Sequence, residues 1–254
     1  MSGAREWGAM GQTTASEELE FLKKSLIFED LDDATVSALL EGSLLQRFPA
    51  GTVLFNQGEI PDFLYLVLEG ALELFTVGPD GDDTIIEILE APDTYTVAPV
   101  LTMAPYLVSG RVVWAGKLLM LRGDVLRSLI AENLQLSHNM LGLLSRQFRV
   151  MVSQVKSLKL KTTAERLGCY LISLQEEQLG AMEITLPYDK CRIAARLGMT
   201  PVSLSRALAK LGDVGVSVKG SRVRIGDIDA LRDYCKPDDL IREGQEDLRL
   251  VTGP

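Results

Sequence analysis

The chain has 254 residues, of which 46% are hydrophobic and 24% charged, and its formal net charge at pH 7 is −9. This composition predicts a folded globular protein, and the length is sufficient for two modest domains. No apolar run reaches the ~18 residues of a membrane helix, and the start lacks the apolar core of a signal peptide. We therefore expect a cytoplasmic protein without a membrane partner. The three cysteines are too few and too widely spaced for a disulfide framework or a metal site.

The N-terminal half contains a tail followed by a strand-rich segment. Residues 1–16, rich in Gly, Ser and Thr, are expected to form a disordered tail. Residues 17–122 begin with two short amphipathic helices and continue with short strands separated by turn residues. The strands are predicted at 53–55, 64–68, 71–75, 84–89, 111–114 and 118–121. Many short strands at near-regular spacing predict a jelly-roll β-barrel, which is suited to holding a small ligand.

Turn residues disappear between 123 and 161, where the pattern predicts one long helix. Apolar residues recur along it with the spacing of the a and d positions of a coiled coil. This apolar stripe consists of Leu134, Leu141, Leu144, Phe148, Met151, Val155 and Leu158. A helix of about 35 residues, roughly 50 Å long, cannot bury such a stripe within one small domain, so we expect it to pair with its twin in a homodimer. Packing against the barrel is the alternative, and it would account only for the first turns.

Residues 162–235 are predicted to form a winged helix-turn-helix, followed by a flexible tail at 236–254. Gly198 stands where one short helix must end and the chain must reverse. Thr200 and Pro201 suit the N-cap and the first position of the second helix. A short strand, a two-stranded wing and a closing helix are predicted at 184–186, 214–225 and 228–234. An ordinary helical hairpin is the alternative interpretation.

The distribution of charge favours the helix-turn-helix. The segment from Ile184 to Gly226 carries a net charge of +6, whereas the rest of the chain carries −15. A basic module on an acidic body is typical of a protein that presents one face to the phosphate backbone of DNA. The basic segment coincides with the predicted helix-turn-helix, so the two signals support each other.

In this order, barrel, long helix and winged helix resemble the CRP/FNR family of bacterial transcription regulators over about residues 20–235. The motifs are Phe48-Pro-Ala-Gly-Thr-Val-Leu-Phe-Asn-Gln-Gly58, Tyr65-Leu-Val-Leu-Glu-Gly70, Ala164-Glu-Arg-Leu167 and the helix-turn-helix itself. The resemblance implies an α+β fold with a cyclic-nucleotide-binding-like barrel. It also implies a homodimer that binds a two-fold symmetric operator in double-stranded DNA, with RNA polymerase as a further partner and no enzymatic activity. The helix-turn-helix looks closest to the branch that responds to nitric oxide and regulates denitrification.

The resemblance also assigns DNA contacts. In this family the recognition helix reads a half-site through a Glu-x-x-Ser-Arg pattern, of which Ser205 and Arg206 are present here. Arg206 is expected to bind a guanine bidentately. Val202 replaces the glutamate; since valine cannot accept a hydrogen bond from cytosine but can contact a thymine methyl, we expect altered discrimination at that base pair. Phosphate contacts are expected from Ser203, Lys210, Lys219 and Arg222.

The effector pocket departs from the family pattern. Members that bind cyclic nucleotides carry a Gly-Glu that holds the ribose and an Arg-Ser that holds the cyclic phosphate. Here Thr96-Val97 and Val108-Ser109 stand at those places, and Arg111 is expected on a strand, so cyclic AMP is not the expected effector. The oxygen-sensing branch binds an iron–sulfur cluster through N-terminal cysteines. No cysteine precedes Cys169, so no cluster is expected.

Two further residues are candidates for sensing. His138, the only histidine, lies beside the apolar stripe, where related gas sensors hold haem, so it is a candidate haem ligand. A structural histidine is the alternative. Cys191, in the first helix of the helix-turn-helix, is a candidate for oxidation near DNA, and a half-buried structural thiol is the alternative.

The sequence therefore predicts a homodimeric DNA-binding regulator whose barrel senses a small effector. An effector-independent regulator, controlled by its abundance or by thiol oxidation, is the alternative. A cupin-like enzyme would require several metal-binding histidines in the strands, which this sequence does not have.

Overall fold

The computed structural model describes residues 5–6, 22, 25–78, 81–91, 93–95 and 97–238. These residues divide into two compact units, one ending at Gln147 and the other starting at Phe148. Of the predicted tail at 236–254, residues 239–254 lie outside the described residues, as does most of the predicted tail at 1–16. The exception is Arg5–Glu6, which forms a two-residue strand, β1, rather than part of a disordered segment. Among the helices of the described ranges, none combines the length and the apolar character needed to cross a membrane.

The first unit contains a sheet of seven described strands. Besides β1, they are β2 Leu44–Phe48, β3 Val53–Phe55, β4 Phe63–Val77, β5 Asp83–Glu90, β6 Thr94–Tyr95 and β7 Ser109–Arg122. All pairings are antiparallel, in the order β1-β2-β7-β4-β5, with β3 paired to β7 and β6 paired to β4. Between 17 and 45, where two short helices are predicted, the described residues form a 3-10 turn at Leu26–Phe28 and helix α1 at Asp33–Leu40. A short helix, α2, spans Val97–Thr102.

β4 and β7 are each longer than predicted, because two predicted strands join into one. The joins lie at Gly70 and Gly116, where the backbones of β4 and β7 come close together. A Cβ placed on Gly116 would lie 2.1 Å from the carbonyl oxygen of Glu69, and Gly70 has a φ of 85°. The β4–β7 register shifts between Val67 and Leu72. Each glycine thus bends its strand without ending it, whereas the sequence pattern predicts that the strand ends there.

Alternation along β4 produces two apolar clusters, one on each face of the sheet. Leu64, Leu66 and Leu68 face the cluster that also contains the first turns of the long helix, whereas Tyr65 and Val67 face an aromatic-rich cluster.

The single long helix predicted over 123–161 is wrong: two helices occupy it, α3 at Gly123–Glu132 and α4 at Leu134–Leu160. They are separated by Asn133, whose extended backbone (φ −115°, ψ 110°) interrupts the helix. Its side-chain oxygen accepts a hydrogen bond from the Leu136 amide (2.9 Å), and its side-chain nitrogen donates to Thr35 (2.9 Å). Asparagine therefore caps the start of α4, which apolar periodicity alone does not reveal.

The second unit contains the end of α4 and the remaining elements. They are α5 Thr163–Glu177, β8 Glu183–Thr185, α6 Lys190–Arg196, α7 Pro201–Leu211, β9 Val216–Lys219, β10 Arg222–Ile225 and α8 Ile228–Cys235. The three strands form a sheet in the order β8-β10-β9. A 3-10 turn at Gly212–Val214 precedes the wing, so the first wing strand starts two residues later than predicted. This is the architecture of a winged helix-turn-helix.

Candidate nucleic-acid interface

The two helices of the helix-turn-helix are fixed by local capping. The hydroxyl oxygen of Thr200 accepts a hydrogen bond from the Ser203 amide (3.1 Å), and Pro201 occupies the first position of α7. Gly198 has a φ of 61°, and its amide donates to Ala195 O (2.9 Å) at the end of α6. The predicted roles of Thr200, Pro201 and Gly198 are confirmed.

Arg166 of α5 clamps the turn between α6 and α7. Its Nε donates to Leu197 O (3.1 Å) and its Nη2 to Gly198 O (3.3 Å), while Nη1 donates to Lys161 O (3.1 Å). Partial burial lowers the pKa of Arg166 from its ordinary value. The sequence motif Ala164–Leu167 contains this arginine but does not indicate that it binds the turn, because Leu197 and Gly198 lie more than 30 residues away along the chain.

α7 presents one apolar and one polar face. Leu204, Ala207 and Leu211 are buried, and Leu208 is half-buried. The exposed residues named as DNA contacts are Val202, Ser205, Arg206 and Lys210, and Ser203 is half-buried. The α7 sequence is therefore docked through positions three and four residues apart, which leaves the predicted contact residues on the outside.

Arg206 and Ser205 differ in what their polar groups are doing. The Ser205 hydroxyl donates to Pro201 O (3.1 Å), which leaves its oxygen as an acceptor. Arg206 makes no hydrogen bond or ion pair within the described ranges, so its whole guanidinium is available to a partner. Five donors in a planar fork match the O6/N7 edge of guanine.

The wing carries the two basic residues predicted to contact phosphates, and both are exposed. Lys219 and Arg222 face each other in register on β9 and β10, on either side of a turn where Gly220 has a φ of 64°. Arg222 also lies 3.4 Å from Glu183, but both side chains are exposed, so this ion pair is weak and easily exchanged for a phosphate.

The apolar stripe on α4 is largely exposed. Phe148 and Met151 are 63% and 56% exposed, and Leu134, Leu141, Val155 and Leu158 are also exposed. Leu144 is the exception, since it is partly buried against the core of the first unit. Leu136, Met140 and Leu143, on another face, bury the first turns of α4.

The two candidate sensing residues lie on different elements. His138 is half-buried near the start of α4, beside Ser137, whose hydroxyl donates to Ile130 O (2.7 Å). Cys191 is exposed near the start of α6, so the interpretation as a half-buried thiol is wrong. Cys191 therefore lies on the exposed surface of α6, the helix that precedes the recognition helix α7 in the sequence.

The positions that hold a cyclic nucleotide in family members are occupied differently here. Thr96 lies outside the described residues, and Val97 is 1% exposed within the core. The Ser109 hydroxyl accepts a hydrogen bond from the Gln57 amide (2.9 Å). The side chains of Val97 and Ser109 are thus both committed to the fold.

Arg111, the nearest basic residue, is neutralised by two carboxylates. It stands opposite Glu73 in the β4–β7 pairing; its Nε donates to Glu73 (2.8 Å) and its Nη1 to Asp83 (2.9 Å). Glu73 is only 1% exposed. Partial burial disfavours the charged form, but the hydrogen bonds to Glu73 and Asp83 outweigh it and raise the pKa of Arg111. An anionic ligand would have to displace both carboxylates to reach this cation.

An aromatic cluster lies in the apolar core on the sheet face of Tyr65 and Val67. The Phe55 ring stacks on Tyr106 and Tyr95, with ring centroids 4.3 and 5.6 Å away, and lies 5.5 Å from Tyr65. A Cβ on Gly110 would lie 2.3 Å from the Phe55 ring, so the ring packs directly on that backbone. Burial raises the pKa of Tyr65 and Tyr95 to about 12, so their hydroxyls are neutral. These four aromatics come from four strands or loops, and no single stretch of sequence groups them.

Two family models match the chain. Residues 45–133 match a cyclic nucleotide-binding domain, and residues 165–234 match a Crp-like helix-turn-helix domain.

Known proteins support the same assignment. The chain is 32% identical to a candidate cAMP-binding regulatory protein from Silicibacter pomeroyi DSS-3, whose structure it matches with a TM-score of 0.57 over 86% of this chain and 98% of that one. It is 24% identical over 193 residues to a CRP-like cAMP-activated global transcriptional regulator of Mycobacterium tuberculosis, covering 74% of this chain and 86% of that protein. FixK2 from Bradyrhizobium japonicum shares the fold, with a TM-score of 0.65 at 16% identity over 75% of this chain and 96% of the other.

Three observations lead to one conclusion. They are the two domain matches, the identity to a solved regulator over nearly its whole length, and the winged helix-turn-helix with its exposed basic helix. The chain belongs to the CRP/FNR family of DNA-binding transcription regulators, with a cyclic-nucleotide-binding-like effector domain ahead of its helix-turn-helix.

Proposed function

We propose that the protein is a homodimeric regulator that reads a two-fold symmetric operator, with one α7 helix in the major groove of each half-site. The observation that carries this proposal is the exposed, unengaged guanidinium of Arg206 on a capped and docked α7. Arg206 binds a guanine, while Ser203, Lys210, Lys219 and Arg222 contact phosphates and so fix the register without specifying sequence.

Dimerisation rests on α4. Its a and d positions are apolar, and from Phe148 onward each of them is exposed, which leaves a continuous apolar strip along this helix. A second copy of α4 is the complementary surface, because identical heptads bury each other's a and d side chains across a two-fold axis. Such an axis gives the two α7 helices the same relation as the halves of a palindromic operator.

The effector is not cyclic AMP in this proposal, although two relatives carry cAMP in their names. Buried Val97 and the Glu73–Arg111–Asp83 ion-pair cluster leave no free cation for the cyclic phosphate among the described residues that replace the family's ligands. On the other face of these strands, the aromatic cluster around Phe55 makes the core apolar. These features favour a small, uncharged effector over a nucleotide anion.

Control by thiol oxidation is the second candidate, because Cys191 is exposed on α6. Conversion to a sulfenic or sulfinic acid would add an oxygen-bearing, partly anionic group beside the DNA-reading helix. In that case DNA affinity depends on oxidants and on no small ligand.

The experiment begins by enriching random duplex DNA on the purified full-length protein, followed by anisotropy titrations on the enriched sequence. We expect a two-fold symmetric sequence, and we expect Arg206→Ala to weaken binding by about 1–3 kcal/mol, roughly 5- to 150-fold, with loss of preference at one guanine per half-site. Arg47→Ala, which removes an exposed arginine of β2, is the matched control and should bind like the wild type. Unselective enrichment, or an unchanged sequence preference in Arg206→Ala, would refute the proposal.

A further inference from the structure

Two cysteines that lie far apart in the sequence meet between α5 and α8. Cys169 is half-buried on α5, and Cys235 is the buried last residue of α8. The Cys169 thiol donates a hydrogen bond to Cys235 O (3.7 Å), and the two cysteine side chains shift each other's pKa in opposite directions. The absence of a side chain on Gly168 permits this approach, since a Cβ there would lie 2.0 Å from the Cys235 sulfur.

A lysine ammonium completes the cluster. Lys161 Nζ donates to Cys235 O (2.8 Å) and Lys236 O (2.7 Å). These bonds hold the cation at the end of α8 and beside both sulfurs. An ammonium next to a partly accessible thiol is the environment in which cysteines become reactive.

The ionisation of the pair follows from this arrangement. The hydrogen bond from Cys235 lowers the pKa of Cys169 below that of an ordinary thiol; Lys161 acts in the same direction, while partial burial and the Glu165 carboxylate oppose it. The same hydrogen bond and burial raise the pKa of Cys235. Of the two thiols, Cys169 is therefore the one that ionises more easily.

We propose that Cys169 and Cys235 form a peroxide-reactive dithiol site, in which Cys169 is oxidised first and Cys235 closes a reversible disulfide between α5 and α8. The roles follow the exposure of the two sulfurs, since a hydroperoxide reaches half-buried Cys169 and not Cys235. The proposal does not depend on the proposed effector or operator, because it concerns only these two thiols.

The chemistry balances with hydrogen peroxide as the oxidant. The Cys169 thiolate attacks one peroxide oxygen; the O–O bond breaks, an S–O bond forms, and the departing oxygen takes up protons and leaves as water. The Cys235 sulfur then attacks the Cys169 sulfenic sulfur, losing its proton as the S–O bond breaks and a second water leaves. Overall, the two thiols lose two protons and two electrons, and one hydrogen peroxide is reduced to two waters.

The cross-link would enclose the DNA-reading elements. α6, α7 and the wing all lie in the chain between Cys169 and Cys235, so one disulfide closes a loop around them. A disulfide requires the two sulfurs to approach to about 2.05 Å.

The test uses the full-length protein with Cys191→Ser, so that only the proposed pair remains, and hydrogen peroxide as the probe. We expect both thiols to be lost together, with a mass decrease of two hydrogen atoms, a Cys169–Cys235 linked peptide and full recovery with dithiothreitol. We expect the rate to rise with pH along an ionisation below the ~8.5 of a free cysteine.

Two single variants in the same background separate the roles. In Cys235→Ser, Cys169 should still react with peroxide, and it should accumulate as sulfenic or sulfinic acid without forming a disulfide. In Cys169→Ser, the Cys235 thiol should stay intact at the same peroxide concentration. The proposal is overturned if the parent variant keeps both thiols at peroxide concentrations that oxidise Cys191 in the wild type. It is also overturned if the mass of the parent variant rises by oxygen atoms and does not fall by two hydrogen atoms. Both outcomes are measured on a protein that retains Cys169 and Cys235.

Discussion

At the scale of single residues, the proposed recognition of DNA depends on exposed side chains of α7. Val202 is 61% exposed at the position where the family's pattern has glutamate. Its isopropyl group offers no acceptor, so a base pair that a glutamate would read through cytosine is read, at most, through a thymine methyl.

Val202→Glu should therefore restore discrimination at one base pair of each half-site. We expect the variant to prefer cytosine there by about 1–3 kcal/mol, measured by anisotropy on operators that differ only at that pair. Val202→Ala is the control and should lose the thymine preference without gaining one for cytosine. Equal binding of Val202→Glu to all four operators would contradict the assignment of this position.

Arg166 shows why some functional residues escape sequence analysis. Its guanidinium holds the carbonyls of Leu197 and Gly198, and through them the geometry of the turn before α7. The capping of α7 by Thr200 is readable because donor and acceptor are three residues apart. The hydrogen bonds of Arg166 to this turn cannot be predicted in this way, because residues more than 30 positions apart have no characteristic spacing in the sequence.

At the scale of elements, helix α4 illustrates both the strength and the limit of apolar periodicity. The pattern correctly predicts that the stripe is not buried within its own chain beyond the first turns. It also extends the helix too far, because Asn133 separates α3 from α4 by capping, which periodicity does not register.

Phe148→Glu should dissociate the proposed dimer. Two like charges would face each other near the two-fold axis in an apolar seam, and we expect the dimer Kd to rise by at least about 100-fold, close to 3 kcal/mol. Sedimentation equilibrium measures the change directly. Ser153→Glu introduces the same charge on the opposite side of α4 and should remain dimeric. An unchanged Kd for Phe148→Glu would place the dimer interface elsewhere.

The crossing of β4 and β7 gives a stability prediction for Gly116→Ala. The added methyl would lie 2.1 Å from the Glu69 carbonyl oxygen, and backbone cannot rotate away as a side chain can. We expect a loss of about 2 kcal/mol or more in the free energy of unfolding, measured by urea denaturation. Gly212→Ala, with a φ of −57° and no neighbour within 4 Å of the new methyl, should lose little. Similar stabilities for the two variants would contradict the close crossing.

At the scale of the whole molecule, membership of the family accounts for the two domains but does not identify the effector. Isothermal titration with cyclic AMP should give no saturable heat, and the nucleotide should leave operator affinity unchanged. The reason is that Arg111 is held by Glu73 and Asp83, and Val97 is buried. The cAMP-activated Mycobacterium tuberculosis regulator serves as the positive control. Micromolar binding coupled to a change in operator affinity would show that the ion-pair cluster opens.

Haem is tested separately through His138. Absorption spectra with added ferrous haem, in the wild type and in His138→Ala, determine whether this half-buried imidazole is an axial ligand. A stoichiometric Soret band that shifts with nitric oxide or carbon monoxide and disappears in the variant would establish haem as the effector. Identical spectra would leave His138 as a structural residue.

The sequence by itself determined what depends on neighbours a few positions apart: the capped recognition helix, the turn at Gly198, most of the strands and the family. Tertiary structure alone decided where distant residues meet. It placed Arg111 between Glu73 and Asp83, stacked Phe55 on Tyr106, and brought Cys169 to Cys235 beside Lys161. Local caps and periodicities follow from backbone geometry within one or two turns, whereas these contacts depend on how strands and helices pack, and packing leaves no fixed spacing in the chain.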